Sequence, residues 1–371
     1  MLPDRADLVV VGAGIVGLAH AYEAHRRGLT VAVIDRDARP VGASVRNFGH
    51  CGVTAQAGEA RRLALATRER WLTLGSLAGF WVSDAGAVIA ARADDELAVL
   101  RELADVRRDE VVLLDTDEVR HRAAVGDDRL CGGAHLRADV RVDPREAVPR
   151  LAAWLADQPG IDVSWTTSLL GIDDAAVYTT RGPMVAQRVV VCVGHDVDRV
   201  FPDLADTGGV RRCALHMLRV SAPDACRIDP AVLTGTSLLR YGAFADLPSL
   251  GAVRTRLEAE SPELLAADVN LMLTQHPGGD LLIGDTHRRD VTLDAFQDES
   301  LDELILEETA RLLGAERLTV HERWQGVYAS APKDFLVAAP MDHVRVVSVT
   351  TGIGMSTGLG LAPEVLDDLL A

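Results

Sequence analysis

The chain has 371 residues, 48% hydrophobic and 25% charged, and its 55 acidic residues against 38 Lys and Arg give a net charge of −17. So acidic a surface excludes nucleic acid and anionic membranes as bulk partners, because both require clustered positive charge. The length exceeds one compact core and predicts two domains; no low-complexity tract or internal repeat interrupts a globular composition.

The first predicted element is a strand, Leu8-Val9-Val10-Val11, followed at once by Gly12-Ala13-Gly14-Ile15-Val16-Gly17. A strand before the glycines, a helix after them and an acid about 20 residues on mark a βαβ unit that binds an adenine dinucleotide. Gly12 permits the tight turn, and Gly14 lets the backbone approach a pyrophosphate. Gly17 lets the helix pack close to the sheet, while Ile15 and Val16 stand in a first turn whose free N–H groups face the phosphates. Ala19, Ala21 and Ala24 favour that helix, and Gly28 stands where its C-terminal cap belongs. A second strand, Leu29–Ile34, ends at Asp35, whose carboxylate can accept both ribose hydroxyl protons; Arg36 follows it.

Residues 36–50 form a loop of small and polar residues. Amphipathic helices are predicted near Glu59–Leu74 and Asp94–Ala104. A third runs from Pro144 to Leu155, opened by Asp143 as N-cap with proline at the first helical position. Strand patterns follow at Ile161–Trp165, Ala176–Thr180 and Gln187–Gly194, the last reading as a buried parallel strand whose C-terminal end faces a ligand. From Val210 to about Arg323 the alternating strands lengthen, with a helix near Leu301–Leu313, which predicts a separate, largely antiparallel domain. Val344–Thr350 is another buried strand, and the glycine-rich stretch Thr351–Pro363 leads into a terminal helix.

The nucleotide fold is thus begun, left, and completed only at the C-terminus. This order predicts a discontinuous dinucleotide-binding domain of residues 1–80, 140–208 and 325–371. Residues 81–139 and 209–324 are then the substrate-binding domain. The second helix start points into the same cleft and chooses FAD over NAD. The pyrimidine end of isoalloxazine becomes anionic on reduction and is stabilised by N–H groups and a positive dipole end.

Cys51, Cys131, Cys192, Cys213 and Cys226 form no CxxC pair and no zinc-like spacing with histidine. They read as reduced thiols of a cytoplasmic protein with no metal site. The N-terminal apolar run lacks a basic region and leads into the glycines, so it is a strand rather than a signal segment, and no stretch is long enough to span a membrane. Among 38 basic residues the single lysine is Lys333. It marks a position suited to a compact ammonium rather than a forked guanidinium, or a chance survivor of coding bias.

With these pieces assembled, the chain resembles the FAD-dependent D-amino-acid oxidase/glycine oxidase (DAO) superfamily over nearly its full length. The runs Gly42–Gly49, Arg323–Ser330 and Thr351–Met355 are similar to a narrower branch associated with catabolism of 2-aminoethylphosphonate and its N-methyl derivative. Leu239–Phe244 and Ile283–His287 fit the same branch. The resemblance implies an α/β (α+β) two-domain architecture, a Rossmann-like FAD-binding domain with an antiparallel-sheet substrate domain, glycine oxidase-like. It implies that Gly12, Gly14, Gly17 and Asp35 hold the ADP half and that Ala43, Ser44, Arg46 and Asn47 line the loop near the flavin. It places Val193 and Gly194 near the dinucleotide and Gly352, Gly354, Met355 and Ser356 against the pyrimidine ring. In covalently flavinylated relatives the linking histidine matches Arg46 here, so FAD is expected to be non-covalent. His50-Cys51-Gly52 and His216 depart from the branch pattern.

The chemistry implied is oxidation of a C–N bond to an imine, then hydrolysis to an aldehyde plus ammonia or amine. The partners are a small anionic amine and oxygen or another electron acceptor. An acidic substrate needs positive charge in the pocket. Arg46, Arg240 and Lys333 are the candidates, with Asn47, Tyr241, His287 and Tyr328 as hydrogen-bonding partners. Lys333 is expected near the flavin edge, binding the anion or assisting reoxidation, and His50 is a candidate for orienting the amine. A glycine- or sarcosine-like amino-acid oxidase and a 2-hydroxy-acid dehydrogenase are the alternatives.

Overall fold

The computed structural model describes residues 2–371. The apolar runs become the centre of a parallel sheet. Strand Arg5–Val11 pairs with Val31–Ile34 on one side and Gly182–Val191 on the other, and Ile161–Ser164 and Val344–Thr351 extend it at either edge. Both faces are covered, which is why these strands read as unbroken apolar runs. Leu8, Val10, Val31 and Val33 cluster with Leu18, Trp71 and Leu359 of the helices Ile15–Arg26, Gly58–Ala78 and Gly354–Leu370. The alternate residues Val9, Val11, Ala32 and Ile34 join Met184 and Val197 in the opposite core.

The predicted helices form with ends moved by a few residues, where capping decides. Gly58–Ala78 runs on to Gly79, which takes a left-handed φ of 69° as its cap. Asp143 caps Pro144–Ala156 by accepting the Arg145 N–H at 3.0 Å. Asp298 does the same for Glu299–Leu313, accepting the Ser300 N–H at 3.0 Å.

The two halves of the molecule share one hydrogen-bonded sheet of 16 strands. The join is a single strand of 22 residues, Val320–Met341. Its first half pairs antiparallel with Arg211–Val220 and its second half with Val344–Thr351, the register breaking between Ser330 and Phe335. The break interrupts the side-chain alternation, so the sequence shows two runs where the backbone makes one strand. Beyond Arg211–Val220 the sheet continues through Leu281–Gly284, Met272–Gln275, Ala231–Leu233, Ala87–Ala91 and Gly132–Leu136. One pair there, Ala87–Ala91 with Ala231–Leu233, is parallel, so this half is mixed. Among the described residues no helix is long and apolar enough to cross a membrane.

Candidate active site

A cavity of about 490 Å³ runs from the glycine turn to the middle of the second half of the sheet. One end is lined by Gly12, Gly14, Ile15, Val16, Asp35 and Arg36, and the other by Arg240, Tyr241, Asn270, Asp285, His287 and Tyr328. Ala43, Ser44, Arg46, Asn47 and His50 also line it, as do Val193, Gly194, Gly352, Gly354, Met355 and Ser356. Residues far apart in the chain thus meet in one space.

The glycine turn has the dimensions a pyrophosphate requires. Gly12 has φ of +103°, and a Cβ there would lie 2.4 Å from the Cys192 carbonyl oxygen. Gly17 does not line the cavity; a Cβ on it would stand 1.8 Å from the Gly12 carbonyl oxygen, so it supports the turn from behind. Helix Ile15–Arg26 starts without a side-chain cap, and the Ser44 hydroxyl accepts the Ile15 N–H at 2.9 Å, marking where an anionic oxygen can sit. Asp35 accepts the Ala13 N–H at 2.7 Å and the Asp37 N–H at 2.9 Å, which fixes the carboxylate at the end of its strand. Burial raises its pKa, and the two N–H groups oppose that rise. Arg36 pairs with Asp196 at 2.7 Å across the same end.

Asp35→Asn is expected to weaken FAD binding about 10- to 100-fold. A hydrogen bond to a charged group contributes roughly 1.5–3 kcal/mol, and each 1.4 kcal/mol is tenfold. Titration of the apoprotein with FAD, followed by fluorescence quenching, checks this.

The second helix start lies where the sequence puts it. Gly354–Leu370 begins at Ile353 with no side-chain cap, so its first N–H groups are free for a ligand. Gly352 has φ of +80°, and a Cβ there would be 3.1 Å from Cζ of Tyr328, so the phenol ring closes directly over the turn. Two helix starts whose N-cap residues supply no side-chain cap, a Cβ-free turn and a half-buried acid on one cavity fit a flavin dinucleotide.

At the other end, Arg240 is half-buried and donates to the Tyr328 hydroxyl at 2.9 Å. Burial opposes its charge, but Tyr328, Asp285 and Tyr241 hold the guanidinium above its ordinary pKa. Burial pushes the Tyr328 and Tyr241 phenols up. His287 Nδ1 lies 2.8 Å from the Asp268 carbonyl oxygen, and burial together with Arg240 pushes its pKa down, which keeps the ring neutral. Asp285 is 5% exposed and burial pushes its carboxyl up to about 7, against Arg240 and the Asn270 amide, which pull it down.

His50 lines the cavity with Nε2 2.8 Å from Asp139. Burial would raise the Asp139 pKa; the His50 bond and charge and the Thr54 and Val53 N–H groups outweigh it and hold the carboxyl below its usual range. Asn47 spends its side chain inside the loop, donating to the Ala43 carbonyl at 2.9 Å and accepting the Gly49 N–H at 2.7 Å. Arg46 is exposed and donates to the Gln325 carbonyl at 3.3 Å.

Lys333 is corrected. It is exposed and does not line the cavity, because it stands on the register break of the long strand, where only its carbonyl is engaged, by the Thr350 hydroxyl. His216, marked as a departure, pairs with Asp302 at 2.8 Å away from the cavity. Asp285 and Asn270 are the polar residues that sequence reasoning passed over. Asp285 did carry a signal, since it ends the apolar run Leu281-Leu282-Ile283-Gly284 as Asp35 ends its own. Asn270 carried none.

A comparison with curated protein sequences finds no match. Solved structures of similar fold include glycine oxidase from Geobacillus kaustophilus, at 18% identity and TM-score 0.79, covering 99% of this chain and 95% of that one. L-alpha-glycerophosphate oxidase from Mycoplasma pneumoniae, solved with FAD bound, is 16% identical with TM-score 0.76, covering 99% and 94%. Iminodiacetate oxidase from Chelativorans sp. BNC1 is 17% identical with TM-score 0.75, covering 98% and 95%. At such identities the likeness establishes a glycine oxidase-like fold, mixed α/β with a Rossmann-like FAD-binding part. The DAO family model, described as FAD dependent oxidoreductase, matches residues 7–367. With that match over nearly the whole chain, and a cavity shaped for a flavin dinucleotide, the protein belongs to the DAO family of FAD-dependent oxidoreductases.

Proposed function

We propose that the protein oxidises the C–N bond of a small amine bearing an acidic group, with an aminophosphonate such as 2-aminoethylphosphonate or its N-methyl form as the leading substrate. The product is an imine, which water converts to an aldehyde and ammonia or methylamine. The observation that carries the reading is Arg240, a guanidinium kept charged at the end of the cavity remote from the glycine turn. Its fork suits a phosphonate or carboxylate, and the Tyr328 hydroxyl beside it adds a further polar contact. FAD, when bound, supplies the two-electron acceptor. The chain's own contribution is positioning: Arg240 fixes the anion, and Tyr328 and Gly352 shape the wall beside the second helix start. Two of the solved structures, named glycine oxidase and iminodiacetate oxidase, bear names of oxidases of nitrogen compounds, which agrees in kind.

The division into an FAD-binding part (1–80, 140–208 and 325–371) and a substrate part (81–139 and 209–324) belongs to the same proposal. Its support is that one end of the cavity comes from the first set and the other, Tyr328 apart, from the second. The flavin is held without a covalent bond, since Arg46 stands at the loop position considered for the link. Acid precipitation should leave the yellow colour in the supernatant.

The test is anaerobic. The holoenzyme is mixed with 2-aminoethylphosphonate, its N-methyl form, glycine, sarcosine and 2-hydroxyglutarate, and the visible absorption band of the oxidised flavin is followed. The aminophosphonates are expected to bleach it fastest. Faster bleaching by 2-hydroxyglutarate than by any amine overturns the reading.

A further inference from the structure

We infer that Asp285 seats the ammonium group of the substrate and accepts its proton, so that the amine reacts as the free base; this rests on the amine reading above. The first observation concerns charge balance. Each of the other buried acids has a basic nitrogen within 3.4 Å, such as His50 for Asp139, His276 for Asp143, Arg256 for Glu96 and His216 for Asp302. Asp285 does not. Its nearest basic nitrogen among the described residues is Nε2 of His287 at 3.7 Å, on a ring kept neutral, and its one side-chain hydrogen bond is a long one from the Asn270 amide at 3.3 Å. A buried carboxylate with so little compensation is costly unless something arrives to pair with it.

The second observation is where it stands. Asp285 lines the cavity, and Arg240 lines the same end without forming an ion pair with it. A cation seat and an anion seat that share one space but are not in direct contact match a molecule carrying both charges. The third is rigidity. The backbones of Asp285 and Asn270 exchange N–H···O bonds of 3.0 and 2.9 Å, and the Ser237 hydroxyl donates to the Asn270 amide oxygen at 2.7 Å. The carboxylate is therefore held by a fixed frame rather than by a mobile loop.

The step is a simple proton transfer. One N–H bond of the ammonium breaks and one O–H bond forms on Asp285; the nitrogen keeps the electron pair, and no atom changes oxidation state. The amine then carries the lone pair that the developing imine needs. The charged and titratable groups around Asp285 are Arg240 and Tyr241 on one side and Asp268 on another, with Cys213 on the neighbouring strand. His287 and Arg289 follow it in the chain, Arg289 being paired with Asp268 at 2.6 Å, and Tyr328 lies beside Arg240. Burial sets the carboxyl to about 7, so the accepting form exists above that pH and is lost below it. The kcat/KM profile of the holoenzyme, which reports the free enzyme, should rise through about pH 7.

Three variants of the holoenzyme decide the matter. Asp285→Asn keeps the shape, loses the ascending limb, and lowers kcat/KM for 2-aminoethylphosphonate at pH 8 by about 100-fold, the low end of what a proton acceptor contributes. Asp285→Glu restores the limb. Asn270→Ala removes a donor that lowers the carboxyl and moves the limb upward by about half a unit. Binding, read anaerobically from the concentration dependence of the absorbance shift that precedes bleaching, separates seat from scaffold. The wild-type protein should bind 2-aminoethylphosphonate more tightly than ethylphosphonate. Asp285→Asn should lose that preference while holding ethylphosphonate within about threefold, since a neutral isostere leaves the anion seat intact. A limb that survives in Asp285→Asn, or ethylphosphonate binding lost in parallel, overturns the inference. If the wild-type protein oxidises no amine, the amine reading fails; the binding comparison still judges Asp285, and equal binding of the two ligands to wild type overturns it.

Discussion

Arg240→Met is expected to lower kcat/KM for an acidic amine by about 100-fold or more, chiefly through KM, while FAD stays bound. Removing one partner from a desolvated charge pair costs roughly 2–5 kcal/mol. Arg240 is the guanidinium at the end of the cavity remote from the glycine turn, and its Tyr328 contact at 2.9 Å fixes its direction. Methionine keeps much of the volume and removes the charge. Arg240→Lys should fall between, because an ammonium restores the charge without the fork. Steady-state kinetics on the three proteins, with the visible flavin absorbance as a measure of FAD content, checks the series. A methionine variant with wild-type KM places the anion elsewhere.

Gly17→Val is expected to give a colourless protein with a lowered Tm. A Cβ at residue 17 would stand 1.8 Å from the Gly12 carbonyl oxygen and 3.3 Å from the Val10 side chain, so the helix must lift from the sheet. Overpacking of this kind costs roughly 1–3 kcal/mol in a core, and here the obstacle is backbone, which gives less easily. Lifting the helix also misdirects the N–H groups at its start, so cofactor affinity falls together with stability. The flavin-to-protein absorbance ratio after purification and a thermal melt measure the two effects separately. A yellow variant with unchanged Tm contradicts the packing role.

How much of this was legible in the sequence depends on the kind of signal. Where local chemistry dictates geometry, the reading carried through: the glycine turn, the acid after the second strand, Asp143 as a cap, and the late glycine-rich helix start. Each is set by residues within one turn or one strand of each other. The long strand Val320–Met341 was not legible as one element, because its register break erases the alternation that marks a strand. The same break is why Lys333 misled: rarity of a residue type speaks of composition, and only the pairing of the strand decides which way a side chain stands. Asp285 was quoted in a motif but passed over in favour of His287. An isolated acid in sequence does not reveal that its neighbours, unlike those of Asp139, place no basic nitrogen in direct contact with it. Arg240, Tyr241 and Tyr328 were legible only as members of a family resemblance. Their meeting at one end of the cavity is a property of the sheet.

The cavity is expected to oxidise a C–N bond in a molecule that also carries an acid. The most direct measurement is a single anaerobic turnover of the holoenzyme with 2-aminoethylphosphonate, with ammonia assayed against flavin reduced. The expected result is bleaching of the flavin band with one ammonia released for each flavin reduced. An oxidised flavin with every acidic amine, together with reduction by a 2-hydroxy acid and no ammonia, contradicts it.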